Sequence, residues 1–173
     1  VYKFTSISEL QASIDFVVIA TGSRHRRRAI EDLLETVEVK YILLEKFLFP
    51  ALDDYSAVQT LLEKNGVKAW VNCPRRMYPY YQKMRDKVNP EDPMIMLLNA
   101  SNLMVGTHAI HFLDLFCFLT QSVKIDEIRT EGLHSVIYES KRPGHIEFKG
   151  NLVFRSGKHS FVFQTFEKGM LPL

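Results

Sequence analysis

The run Asp15-Phe16-Val17-Val18-Ile19-Ala20-Thr21 decides how the chain is read. Its apolar residues are consecutive rather than alternating, which suits a strand buried on both faces of a parallel sheet. Beyond it Ile30, Leu33, Leu34 and Val37 fall at i, i+3, i+4 and i+7, one stripe of a helix over residues 26–37. A second buried strand follows at residues 41–45. Pro50 and Asp53-Asp54 mark a loop and a helix N-terminus, Tyr55, Val58, Leu61 and Leu62 give the next stripe, and Gly66 caps it. Residues 68–72 read as a third strand. This β-α-β-α-β order predicts half of a doubly wound, Rossmann-like sheet over residues 1–75.

From residue 76 the pattern changes. Pro79 suits the first turn of a helix running to about residue 87, and the two prolines of residues 89–93 impose a loop. Residues 94–99 read as a strand. Residues 106–119 are apolar almost all round, as in a helix buried between layers. From residue 124 onward Ile146/Phe148, Leu152/Phe154 and Phe161/Phe163 alternate with polar residues, with Gly150-Asn151 and Ser156-Gly157 as turns. An α+β domain with an open antiparallel sheet is therefore expected over residues 76–173. Both ends read as cut: no two of the eight glycines stand two residues apart, so a G-x-G-x-x-G turn is not spelled here, and the last strand has no following neighbour.

Composition narrows the classes. The 173 residues are 46% apolar and 24% charged, which fits one globular domain or parts of two and excludes a collagen-like or disordered chain. With 22 basic against 20 acidic residues the net charge is +2, so no overall field favours nucleic acid or an anionic membrane. Cys73 and Cys117 are too few for a disulfide framework, and a reducing cytoplasm is the default. The N-terminus lacks the order of a signal peptide. The apolar segment 110–119 is too short for a membrane span and contains His111 and Asp114.

Four short motifs occur in order on these elements: Val18-Ile19-Ala20-Thr21; Leu43-Leu44-Glu45-Lys46; Asn72-Cys73-Pro74-Arg75-Arg76-Met77-Tyr78-Pro79; and Gly106-Thr107-His108 opening a helix. Together they resemble the glucose-fructose oxidoreductase / inositol dehydrogenase / rhizopine catabolism family of nicotinamide-dependent sugar oxidoreductases. The resemblance implies a dinucleotide-binding domain followed by a domain with a large open sheet, NAD or NADP as cofactor, and a polyhydroxy substrate. Lys46 matches the lysine of the family's Glu-Lys-Pro motif, and His108 the acid/base histidine. The chain departs from the pattern at Phe47 (usually proline), Met104 (often aspartate), Gly22 (often proline) and Arg26 (often histidine).

The residues also carry readings of their own. Lys46, at the carboxyl end of a strand, stands where open α/β sheets bind ligands, although such a lysine can also simply reach solvent. Glu45 can orient it or merely end the strand. An imidazole such as His108 suits removal of a hydroxyl proton, and an ammonium suits the alkoxide that develops. Arg24-His25-Arg26-Arg27-Arg28 opens a helix, where cations oppose the dipole unless an anion intervenes, either cofactor phosphate or an anionic substrate group, with a solvated basic turn as the alternative; Thr21, Gly22, Ser23 and Arg26 are candidate cofactor contacts alongside Glu45 and Lys46. Arg75, Arg76 and His111 are candidate substrate contacts, with loop anchoring by salt bridges as the alternative for the arginines. His108, His111 and Asp114 share a face at i+3 steps and could ligate a metal, but support of His108 by its two neighbours and ordinary core polarity both fit the spacing better, and no metal is assigned. Two rivals to the oxidoreductase stand: a catalytically silent relative that binds a ligand or serves as a subunit, and a metal-dependent hydrolase. The phenylalanine-bearing face of the second sheet is expected to be covered by another copy of the chain.

Overall fold

The computed structural model describes residues 2–140 and 143–167, and it divides into two compact units, Val1–Asn72 and Cys73–Leu173. In the first unit β1 (Ser13–Ile19), α1 (Ser23–Thr36), β2 (Glu38–Leu44), α2 (Leu52–Lys64) and β3 (Lys68–Val71) follow one another. The strands form a parallel sheet in the order β1-β2-β3, with Phe16 beside Tyr41 and Leu43 beside Trp70. Successive crossovers that step one way across a sheet, all of one hand, deliver their helices to the same face. The core lies there: Ile30, Leu33 and Val37, with Val58 of α2, pack on Ile19, Val39, Ile42 and Leu44. Ile30 and Ile42 are fully buried, each contributing roughly 1.5–3 kcal/mol of hydrophobic stabilisation.

The opposite face of this sheet is open among the described residues, with Phe16, Val18, Tyr41 and Trp70 exposed. The expectation of strands buried on both faces is corrected accordingly. At the far end of α2, Asn65 is the C-cap and Gly66 adopts φ +65°, a left-handed geometry that glycine accepts without strain.

The second unit opens with a single 3-10 turn, Pro74–Met77, and α3 (Pro79–Arg85), each with proline in its first turn. Then come β4 (Ile95–Ala100), α4 (Val105–Thr120), β5 (Glu127–Leu133), the short strands β6 (Tyr138–Glu139) and β7 (Ile146–Glu147), and the hairpin β8 (Gly150–Ser156) and β9 (His159–Thr165). The main sheet runs β4-β9-β8-β5. Its β9-β8 and β8-β5 pairs are antiparallel as expected, whereas β4 joins β9 in parallel and makes the sheet mixed. The hairpin turns at Gly157-Lys158, with Gly157 at φ +56° and Ser156 still paired in β8, one residue on from the expected Ser156-Gly157, and Gly150 and Asn151 begin β8 instead of turning. Gly150 is needed there because a Cβ would lie 2.4 Å from the Gly132 carbonyl oxygen.

Phe154, Phe161 and Phe163 are buried against Val105, Ala109 and Phe116 of α4, with Phe148 packed at the margin. Phe161 stacks on Phe116 and Phe154 at ring separations of 5.8 and 5.5 Å. This corrects the expected cover: α4 of the same chain shields the phenylalanines, which is why that helix is apolar around most of its girth. The other side of the sheet carries the exposed Ile95 and Leu97. Among the described residues no helix is long and apolar enough to cross a membrane.

Candidate functional site

In the first unit the candidate residues gather at the carboxyl ends of the strands. Arg26, 2% exposed, turns its guanidinium inward and donates to the carbonyls of Phe47 (2.5 Å), Leu48 (2.8 Å) and Thr21. It thereby ties the loop after β1 to the loop after β2, and this inward role replaces the expected contact with an anion. Its neighbours are settled locally: Arg27 pairs with Glu31 and Asp54 at 2.8 Å, and Arg28 with Asp32 at 3.5 Å. Those carboxylates relieve the conflict between the basic run and the helix dipole, so no external anion is required for it.

Glu45 and Lys46 follow directly on the last residue of β2. The Glu45 carboxylate accepts from the Asn72 side-chain amide at 2.6 Å, the Asn72 N–H donates to the Leu44 carbonyl at 2.7 Å, and the Glu45 N–H donates to the Ile19 carbonyl at 3.1 Å. The three strand ends are thus cross-linked around Glu45, and Lys46 is carried on a fixed backbone. The Lys46–Phe47 peptide bond is cis. Thr21 and Gly22 are exposed and Ser23 half-buried. Gly22 is the N-cap of α1 with no side-chain acceptor, and a Cβ there would meet nothing within 4 Å. Asn72 belonged to a recognised motif, yet no role for it was legible, because its partner Glu45 lies far away in the chain.

In the second unit the site is the first turn of α4. Met104 is the N-cap and its thioether caps nothing. The orphan N–H groups of a helix start find other acceptors: Val105 donates to the Phe148 carbonyl at 2.9 Å, and Thr107 to the Glu147 carboxylate at 3.3 Å. The Thr107 hydroxyl also donates to Glu147. A Cβ on Gly106 would lie 2.8 Å from Glu147 Oε2, which explains the glycine. His108 Nδ1 lies 3.1 Å from both the amide nitrogen and the carbonyl oxygen of Met104. A bare Nδ1 accepts the Met104 N–H, whereas a protonated Nδ1 donates to the carbonyl, whose second lone pair is available beside the one that accepts the His108 N–H at 3.1 Å. In either tautomer Nδ1 is engaged by the Met104 backbone and Nε2 is the nitrogen left to meet a ligand, as a donor in the first and an acceptor in the second. The alternation of Ile146 and Phe148 pointed Glu147 to the polar face of a strand, whereas the structure buries Glu147 and exposes Ile146.

The two candidate arginines contact α4 within the second unit. Arg76 forms a two-pronged pair with Asp114, its Nε 2.9 Å from Oδ2. Asp114 is thereby committed to an arginine rather than grouped with His108 and His111 around a metal. Arg75 lies over the Phe112 ring at 4.1 Å, and Arg76 and Arg85 over Phe118 at 5.7 and 4.9 Å. His111 is half-buried on the same helix. Burial, and secondarily the Asp114 charge, push the Cys117 thiol above its usual value.

No family model and no curated protein matches the chain. Solved structures do. A dehydrogenase (MviM) from Clostridium difficile is similar over 95% of this chain and 54% of its own, with TM-score 0.69 and 16% identity. The WlbA (WbpB) dehydrogenase of Thermus thermophilus, solved with NAD and alpha-ketoglutarate, is similar over 92% of this chain and 53% of its own, with TM-score 0.63 and 14% identity. The super-repressor mutant of Gal80p from Saccharomyces cerevisiae is similar over 95% and 54%, with TM-score 0.63 and 15% identity. The chain therefore spans about half the length of these neighbours. Their structures are of the glucose-fructose oxidoreductase / inositol dehydrogenase type, and the likeness gives this chain their fold, the one its short motifs imply.

Proposed function

We propose that the chain is part of a nicotinamide-dependent oxidoreductase that transfers a hydride between NAD or NADP and a hydroxyl-bearing carbon of a sugar, cyclitol or nucleotide-linked sugar. The observation that carries this reading is His108, whose Nδ1 is engaged by the Met104 backbone at 3.1 Å while Nε2 is left for a ligand. The donor set at the strand ends of the first unit suits the nicotinamide end of the cofactor: Thr21, Gly22 and Ser23 leave an uncrowded helix start, and Glu45 and Lys46 offer a carboxylate and an ammonium to carboxamide and ribose hydroxyl groups. The glycine pattern that cradles dinucleotide phosphates is not among these residues. When bound, the nicotinamide accepts or donates the hydride.

The residues of this chain handle the proton and the oxygen. In the oxidising direction the hydroxyl proton passes to Nε2 of the His108 tautomer that carries its own proton on Nδ1 and donates it to the Met104 carbonyl, and in the reducing direction imidazolium returns the proton from Nε2. The Lys46 ammonium stabilises negative charge developing on the substrate oxygen. Arg26 and Asn72 hold the loops that present Glu45 and Lys46. The proposal includes a homo-oligomer formed through the open face of the mixed sheet, where Ile95 and Leu97 are 69% and 65% exposed, and a cytoplasmic setting, which suits the free thiols of Cys73 and Cys117.

Met104 favours a second reading, a silent ligand-binding relative, because a thioether neither accepts nor donates a proton. The likeness to the super-repressor mutant of Gal80p points the same way. Titration of NAD(H) and NADP(H) against the natural full-length protein, followed by turnover assays on a polyhydroxy panel, tests the two. Binding with turnover supports the oxidoreductase. Binding without turnover, also after Met104→Asp, supports the silent relative.

A further inference from the structure

We propose that Glu147 is a positioning residue for His108, holding the first turn of α4 so that the imidazole keeps one orientation and one tautomer. Glu147 is 5% exposed and reaches the helix start from β7, a separate element. Its carboxylate accepts both the N–H and the hydroxyl of Thr107, the residue before His108. The next residue, Phe148, accepts the Val105 N–H at 2.9 Å, so one short segment satisfies two of the orphan donors. Because Met104 contributes no side-chain cap, the carboxylate at this helix N-terminus comes from Glu147.

Gly106, Thr107 and His108 each have a defined part in the arrangement. Gly106 leaves room for Oε2, which a Cβ would approach to 2.8 Å. Thr107 supplies the two donors. His108 closes the turn through Nδ1, 3.1 Å from both the amide nitrogen and the carbonyl oxygen of Met104. A buried carboxylate is costly unless its hydrogen bonds and the local dipole offset the lost hydration, and here both do. Were the carboxylate removed, the Thr107 N–H would lose its acceptor and the first turn would fray. The Met104–His108 bond would loosen with it. That Glu147 serves catalysis rests on the acid/base reading of His108; that it fixes the ring does not.

The test follows the ring directly, by long-range proton–nitrogen NMR of His108 and by hydrogen exchange at the Met104 and Thr107 amides. The parent should show one dominant ring tautomer, and slow exchange at the Met104 and Thr107 amides. Glu147→Ala should average the ring between tautomers and speed exchange at both amides at least about tenfold, since protection follows local opening. Glu147→Gln, which keeps an acceptor oxygen, should restore most of the parent behaviour. If Glu147→Ala fails to fold, Gly106→Ala and Thr107→Val break the same contact from the helix side and should give the same signature. Parent-like ring signals and Met104 exchange in these variants would overturn the proposal. Where the parent turns over, Glu147→Ala should lower kcat and leave cofactor binding unchanged; a parent without turnover speaks against the oxidoreductase reading alone.

Discussion

Arg26 shows how far a single side chain can depart from its sequence context. It opens a run of three arginines, yet it stands four residues before Ile30 and seven before Leu33, on the apolar stripe of α1. That spacing was the available signal, and it placed the guanidinium toward the core, where Thr21, Phe47 and Leu48 turn their carbonyls to it. Arg26→Met should cost roughly 2–4 kcal/mol in denaturant unfolding, because several acceptors lose their donor at once. Arg26→Lys should recover only part of this, since an ammonium lacks the planar fork. Cys117 allows a second check. Burial raises its thiol above the usual value, which keeps it protonated at neutral pH, so the native protein should react with iodoacetamide much more slowly than the unfolded one.

Among the elements, β7 and the residues after it carry more than their length suggests. Lys149, buried, bonds Glu167 at 3.1 Å, and the Tyr138 hydroxyl also donates to that carboxylate. Tyr138 first and Lys149 second hold the Glu167 carboxyl below its usual range. A depressed folded-state value means that the pair stabilises the protein above the ordinary carboxylate pKa and loses that contribution as pH falls through the folded value. The stability difference between the parent and Glu167→Gln should therefore shrink as pH drops from about 5 to about 3, measured by urea unfolding at each pH. The helices and the parallel strands were legible because their periodicities are local. The parallel pairing of β4 with β9 was not, since the partner of a strand is fixed by tertiary packing. Nor was the role of Glu147, whose partner Thr107 lies across the unit. Lys46 and His108 are site candidates through the resemblance alone, and the groups that hold their backbones, Arg26, Asn72 and Glu147, became visible only as bonds.

At the scale of the assembly, the mixed sheet of the second unit has one side that exposes Ile95 and Leu97 among the described residues, aliphatic residues rather than the phenylalanines. A second copy seated on that face should make the protein a dimer or larger at micromolar concentration by light scattering, and Leu97→Glu should shift it toward monomer without unfolding it. A parent that stays monomeric would remove the assembly from the account. The account centres on His108 as the group that moves a proton while a nicotinamide moves the hydride. Its most direct measurement is steady-state turnover of the full-length protein and of His108→Ala, followed by nicotinamide absorbance on the responsive substrate. The account predicts a loss of roughly 10² to 10⁴-fold in kcat with cofactor affinity nearly unchanged. Parent-like turnover in His108→Ala would contradict it.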